Sequence, residues 1–145
     1  MKKSILVLSL IVVSLLPVAS ISSAKAPGRD GVFIHVTHGT DDPHRLLMAL
    51  RMAELMAEDK AVLMYFDING VDVLLKGAPD VKFKDFPSSS VQIQKLLSQK
   101  VRIMACPACL KAAGKSAEHL AAGIELADKK AFFSFTSGRI LSLDY

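Results

Sequence analysis

Three short, nearly continuous apolar runs constrain this chain more than any other feature: "VFIHV" from Val32, "AVLMYF" from Ala61 and "VRIMA" from Val101. Each is rich in β-branched or aromatic residues, and each closes on a turn or on a helix start. An apolar run this short, with no polar alternation, reads as a strand buried on both faces, as in a parallel sheet. Segments with helical apolar spacing separate the runs. Such alternation implies βαβ crossovers and a mainly parallel sheet with helices on both sides.

The helices announce their starts. In "TDDPHRLLMALRMAELMAED" (40–59), Pro43 suits a first helical position and Asp42 caps the free amides before it. Leu46, Leu47, Leu50, Ala53 and Met56 form its apolar stripe. Further expectations are a short helix over 71–78, a helix over 90–100 capped by one of Ser88, Ser89 or Ser90, and a helix over 107–114. A helix over 116–129, a strand over 131–136 and a last strand in "RILSLDY" complete the order. The loop "PDVKFKDFPSSS" leaves room for an edge strand over 81–83.

The first residues stand apart. Met1-Lys2-Lys3 is a basic start, an apolar stretch runs from Ile5 to Leu16, and small residues follow Pro17. This is the layout of a cleavable signal peptide, with Ser22 and Ala24 at the cleavage spacing. The apolar part falls short of the roughly 20 residues that span a bilayer. The expected organisation is a signal peptide over 1–24, a linker over 25–31 and one α/β domain over 32–145. The expected location is periplasmic or secreted, with no membrane attachment after cleavage.

The two leader lysines supply half of the formal charge of +4, so the remainder is close to neutral. Scattered lysines, no basic run and no Trp argue against a nucleic-acid partner.

Both cysteines of the chain fall in "MACPACLKAAGK": Cys106 at a strand end, Pro107 opening a helix, and Cys109 one turn along. A thiol at that junction faces free amide N–H groups and the positive end of the helix, which favour thiolate. Lys111 is close in sequence and adds positive potential. A disulfide closing so small a loop stabilises little. Zinc would need two further ligands, and none of His35, His38, His44 and His119 stands at ligand spacing. No metal or cofactor is therefore expected. A CxxC beside βαβ units also occurs in thioredoxin-like proteins, but there it follows an early strand, and here it follows the third. His38 belongs to the loop after the first strand, on the same sheet edge, where a base can accept a thiol proton. The plainer alternative is that this loop only caps a helix. His35, inside the first strand, reads as a core or interface histidine, and Asp67 as part of a turn.

Taken in order, "VFIHVTHGTDDPHRLLMALRMA", "VLMYFDINGVDVLLKGAP" and "VRIMACPACLKAAGK" resemble the DsrE/DsrF-like sulfur-relay proteins. The resemblance covers roughly Val32 to Phe135. It implies a three-layer, flavodoxin- or Rossmann-like sandwich and a persulfide carried on Cys106, which stands eight residues before Gly114. Cys109 matches the second cysteine of members with a CxxC. The resemblance also implies a homotrimer or homohexamer working with sulfur donor and acceptor proteins or small thiols, as a sulfurtransferase or persulfide carrier. Two other readings stay open: an exported CxxC thiol–disulfide oxidoreductase, and a non-enzymatic oligomeric module that binds a small molecule.

Overall fold

The structure, a computed structural model, describes residues 28–145. The expected leader and the start of the linker lie outside the described residues.

Five strands form one sheet: β1 (Gly31–Val36), β2 (Ala61–Phe66), β3 (Arg102–Ala105), β4 (Glu125–Leu126) and β5 (Ile140–Asp144). Their order is β4-β3-β2-β1-β5, and every neighbouring pair is parallel. The three apolar runs are the three central strands. That placement explains why they lack polar alternation: both of their faces meet other residues.

One face carries most of the core. Ile34 and Val36, Met64 and Phe66, and Ile103 and Ala105 point to it in alternation. They meet Leu46, Leu47, Leu50 and Ala53 of α1 (Pro43–Met56) and Leu96 of α2 (Ser89–Ser98). The start of α1 is fixed as its sequence requires: Asp42 Oδ1 accepts the Arg45 amide at 3.1 Å and Pro43 occupies the first turn. Glu54 of α1 is buried, and its Oε2 accepts Lys95 Nζ of α2 at 2.7 Å and Arg51 Nη1 at 3.0 Å. A buried carboxylate needs such partners, and here they tie the two helices together.

The opposite face is thinly covered. Phe33, Leu63 and Met104 point to it and meet Ala131 and Phe132 of the four-residue α4 (Ala131–Ser134), with Phe135 beyond. The three-layer α/β architecture is therefore present, with one thick helical layer and one thin one.

The structure departs from expectation in four places after β2. Residues 116–129 are not a helix: a 3₁₀ turn (Ala117–His119) leads to β4 at the sheet edge. Backbone pairing wins there, because the Lys76 amide donates to His119 O and the Ala121 amide to Leu74 O. Gly123 then turns at φ +86°, against the Leu97 side chain. Residues 131–136 are not a strand but hold α4, whose first amides at Lys130 and Ala131 bond to Asp128 Oδ1. Phe132 and Phe135, three apart, both reach the sheet from it. No strand forms over 81–83, where Val81 exchanges backbone and side-chain bonds with Ser89 instead. The short helix after β2 is a 3₁₀ helix (Ile68–Leu74), set earlier than 71–78. Among the described residues, no helix is long and apolar enough to cross a membrane.

Candidate functional site

Three loops leave the carboxyl ends of β1, β2 and β3 and meet at one edge of the sheet, where ligand sites of parallel sheets gather. Their approach depends on glycine. A Cβ at Gly70 would stand 2.5 Å from Val36 O, and one at Gly39 would stand 2.6 Å from Asn69 O. With those positions bare, the Gly70 amide reaches Thr37 O at 3.2 Å and Asn69 Nδ2 reaches Asp41 Oδ2 at 3.0 Å. The third loop is tied in by the Cys106 amide, which donates to Phe66 O at 2.9 Å.

Cys106 ends β3 and precedes α3 (Pro107–Ala112), with Pro107 in the first turn. Its backbone is extended, so its side chain turns back over the helix start, where the sulfur accepts the Cys109 amide at 3.4 Å. Cys106 is buried, Cys109 is half-buried, and both thiols are free. The Cys109 sulfur accepts the Ile68 amide at 3.2 Å, from the loop after β2.

The two thiols are driven in opposite directions. Burial pushes the Cys106 thiol up, but the Tyr65 hydroxyl, the Cys109 amide and thiol, and the Ala108 amide outweigh it. The net result is a thiol held below its ordinary range. Burial also pushes Cys109 up. Its hydrogen bond to the Cys106 sulfur, the charge forming there and the Asp67 carboxylate add to that push, and the Ile68 amide only partly opposes it. Cys106 is thus the thiol disposed to ionise, and Cys109 the one disposed to keep its proton. Tyr65 is raised well above an ordinary phenol by burial, by Cys106 and by Asp67, so it stays a hydrogen-bond donor.

Beside this pair lies a group that the sequence reading did not assign to the site. His35 Nδ1 bonds Asp144 Oδ1 at 3.0 Å, and its Nε2 lies 2.9 Å from Asp67 Oδ2. The second contact is close but poorly aligned, and Asp67 Oδ1 is buried without a hydrogen-bond partner among the described residues. Burial pushes His35 down, yet Asp67 and Asp144 together raise it above an ordinary histidine. Its ring stacks on Tyr65 with centroids 5.5 Å apart. The available signal was position: Tyr65 and Asp67, two apart at the end of an apolar strand, point to one face.

Other residues singled out from the sequence stand elsewhere on the edge. His38 Nδ1 lies 2.7 Å from Asp41 Oδ2 and its Nε2 lies 3.4 Å from Arg45 Nη1, so both nitrogens face its own loop and helix. Lys111 is exposed on α3 and lines a shallow pocket with Leu110, Lys115 and Leu126. Among the described residues, no three His, Cys, Asp or Glu side chains are grouped as a metal site.

An all-parallel sheet with two free thiols at the end of its third strand defines an α/β protein with a dithiol at the loop edge of its sheet. Residues 30–137 match the model of the DsrE/DsrF-like family, and the chain belongs to that family. Among solved structures, it is similar to a protein of unknown function, MTH1491, from Methanobacterium thermoautotrophicum. Identity is 22%, the TM-score is 0.53, and the match covers 78% of this chain and 98% of that one. It is also similar to the ychN protein from E. coli, at 16% identity and a TM-score of 0.57, over 79% of this chain and 99% of that one. At these identities the two structures establish the fold alone. No curated protein matches the chain significantly.

Proposed function

We propose that this protein carries sulfane sulfur as a persulfide on Cys106. One observation carries the reading: of two thiols three residues apart, the fold stabilises the anion of one and opposes the anion of the other. Sulfur transfer needs that asymmetry, because the thiolate attacks and the thiol does not. The Cys106 thiolate attacks the outer sulfur of a persulfide donor, R–S–SH. A new S–S bond forms at Cys106, the donor's S–S bond breaks, and R–S⁻ leaves to take up a proton. Delivery reverses the step: an acceptor thiolate attacks the outer sulfur and Cys106 departs as thiolate. Membership of the DsrE/DsrF-like family supports a sulfur-relay role.

Cys109, protonated and adjacent, assists the exchange or resolves the adduct. Export by the leader, a periplasmic or secreted location, and a homotrimeric or homohexameric assembly belong to the same reading. So do supporting roles for His38 and for Lys111, whose positive potential favours the thiolate. A dithiol–disulfide oxidoreductase is the second reading. It is favoured by the same unequal pair, since an ionised attacking thiol beside a protonated partner also suits disulfide exchange.

The test is to incubate the purified protein with a low-molecular-weight persulfide and map the mass of each cysteine peptide. A gain of about 32 Da on Cys106, in the wild type or in Cys109→Ser, is expected for one added sulfur atom. No adduct in either protein, with a reversible Cys106–Cys109 disulfide instead, would favour the second reading.

A further inference from the structure

We propose that the peptide joining Asp67 to Ile68 is a redox-sensitive switch. Its N–H holds the Cys109 sulfur while the dithiol is reduced and turns away once Cys109 closes onto Cys106. The switch rests on the dithiol chemistry of the second reading above and does not require persulfide loading.

Two observations meet at one residue. The Ile68 amide donates to Cys109 Sγ at 3.2 Å, and Ile68 stands at φ +46°. Left-handed backbone crowds a β-branched side chain, so such a residue keeps it only where its surroundings hold it there. Packing contributes little, because Ile68 is exposed. The flanking residues are tied elsewhere. The Asp67 amide donates to Val36 O at 3.1 Å, and Asn69 Nδ2 to Asp41 Oδ2 at 3.0 Å. The bond to sulfur is the tie that the Ile68 amide itself makes.

Closure of the dithiol removes that tie. With a low-molecular-weight disulfide, R–S–S–R, as oxidant, the Cys106 thiolate attacks one sulfur, a mixed disulfide forms and R–S⁻ leaves. The Cys109 thiolate then attacks the Cys106 sulfur, the Cys106–Cys109 bond forms and a second R–S⁻ leaves. Two electrons pass from the protein dithiol to the oxidant. The protons of the two thiols end on the two R–S⁻, giving two R–SH. Cys106 Sγ lies 3.4 Å from the Cys109 amide nitrogen, so it already stands against the residue that must reach it. A hop of the Cys109 side chain between staggered wells carries its sulfur off the Ile68 amide. The bonded sulfur is also a poorer acceptor, since it can no longer bear negative charge.

The released peptide has room to turn. The Gly70 amide donates both to Asp67 O at 2.8 Å and to Thr37 O at 3.2 Å, so the Asp67 carbonyl can rotate without orphaning it. The Ile68 amide, on an exposed residue, meets water instead. Ile68 then leaves the left-handed region, and its strain is present in the dithiol and absent from the disulfide. The state of the two sulfurs thereby reshapes the exposed loop beside them.

The experiment follows hydrogen exchange at the Ile68 main-chain amide by NMR of the full isotope-labelled chain, reduced and after treatment with oxidised glutathione. The dithiol–disulfide equilibrium against glutathione is measured beside it. In the reduced wild type, the Ile68 amide is expected to exchange at least threefold more slowly than in Cys109→Ala, roughly the scale of one modest hydrogen bond. Oxidation is expected to remove that protection while leaving the Asp67 amide, bonded to Val36 O, unchanged. Ile68→Gly has no strain to release, so its equilibrium is expected to shift about fivefold toward the dithiol. An unprotected Ile68 amide in the reduced protein overturns the proposal. So does protection that survives oxidation, or an Ile68→Gly equilibrium that is unchanged or shifted toward the disulfide. A dithiol that oxidised glutathione does not close overturns it too, and leaves persulfide loading of Cys106 standing. Should Cys109→Ala not fold, the comparison of reduced with oxidised wild type decides.

Discussion

Ile68 donates its main-chain amide to the Cys109 sulfur at 3.2 Å while held at φ +46°. A β-branched residue in that left-handed region is strained, because its side chain crowds the neighbouring carbonyl. The strain lies where the loop after β2 must turn its backbone toward the dithiol. Ile68 is also 61% exposed, so its side chain gains little from burial.

Replacing Ile68 with Gly should therefore stabilise the fold by about 1 kcal/mol, the cost of one residue in the left-handed region. Urea unfolding of the variant beside the wild type reads this directly. A less stable variant would show that the Ile68 side chain contributes more than its backbone conformation costs.

Lys95 and Arg51 share the buried Glu54 carboxylate, which bridges α1 and α2. Lys95→Met keeps much of the aliphatic stem and removes one charged partner, leaving Arg51 alone on the carboxylate. The expected loss is about 1.5 kcal/mol, the scale of a hydrogen bond to a charged group. A denaturation midpoint unchanged from wild type would mean that Arg51 and water satisfy Glu54 unaided.

Asp41 ties the first loop to the second. Burial pushes its carboxyl up, but Asn69, the Gly39 amide and His38 outweigh this and hold it well below the ordinary carboxylate range. A carboxyl lowered on folding contributes stability that is complete above the unfolded value near 3.9 and is lost as pH falls through the folded value. Asp41→Ala should then be less stable than wild type at neutral pH, with the gap closing as the pH drops below about 4. Thermal unfolding at a series of pH values checks the sign, and a gap that widens in acid would contradict it.

His35 has the opposite sign, since Asp67 and Asp144 raise it despite burial. A histidine raised on folding stabilises fully below its unfolded value near 6.5, and the contribution fades as pH rises through the folded value. The stability difference between wild type and Asp144→Asn should accordingly shrink from pH 6 toward higher pH. A constant difference would mean that His35 is not charged in the native state.

The central strands were legible because Val32, Ile34, Leu63, Met64 and Ile103 leave no polar position for water. That pattern suits only the middle of a parallel sheet. Asp42-Pro43 likewise marked the start of α1 by chemistry local to two residues. The segment 116–136 was not legible, because long-range backbone bonds decide it. Leu120 bridges Leu75, and α4 depends on a cap from Asp128. Helical-looking Ala and Leu positions around Gly123 lose to that pairing.

The site divides in the same way. Cys106, Pro107 and Cys109 are neighbours in sequence, so their chemistry shows in one line of residues. Tyr65, His35 and Asp144 become neighbours only when β1, β2 and β5 align in register. A histidine inside a strand looks like core until the carboxylates on either side of it are known.

The most direct measurement is the rate of alkylation of each thiol in the wild-type protein as a function of pH. A fold that makes Cys106 the sulfur anion and keeps Cys109 protonated predicts that Cys106 reacts at distinctly lower pH. Cys109 should follow only above the ordinary thiol range. Two thiols titrating together, or Cys109 reacting first, would contradict it.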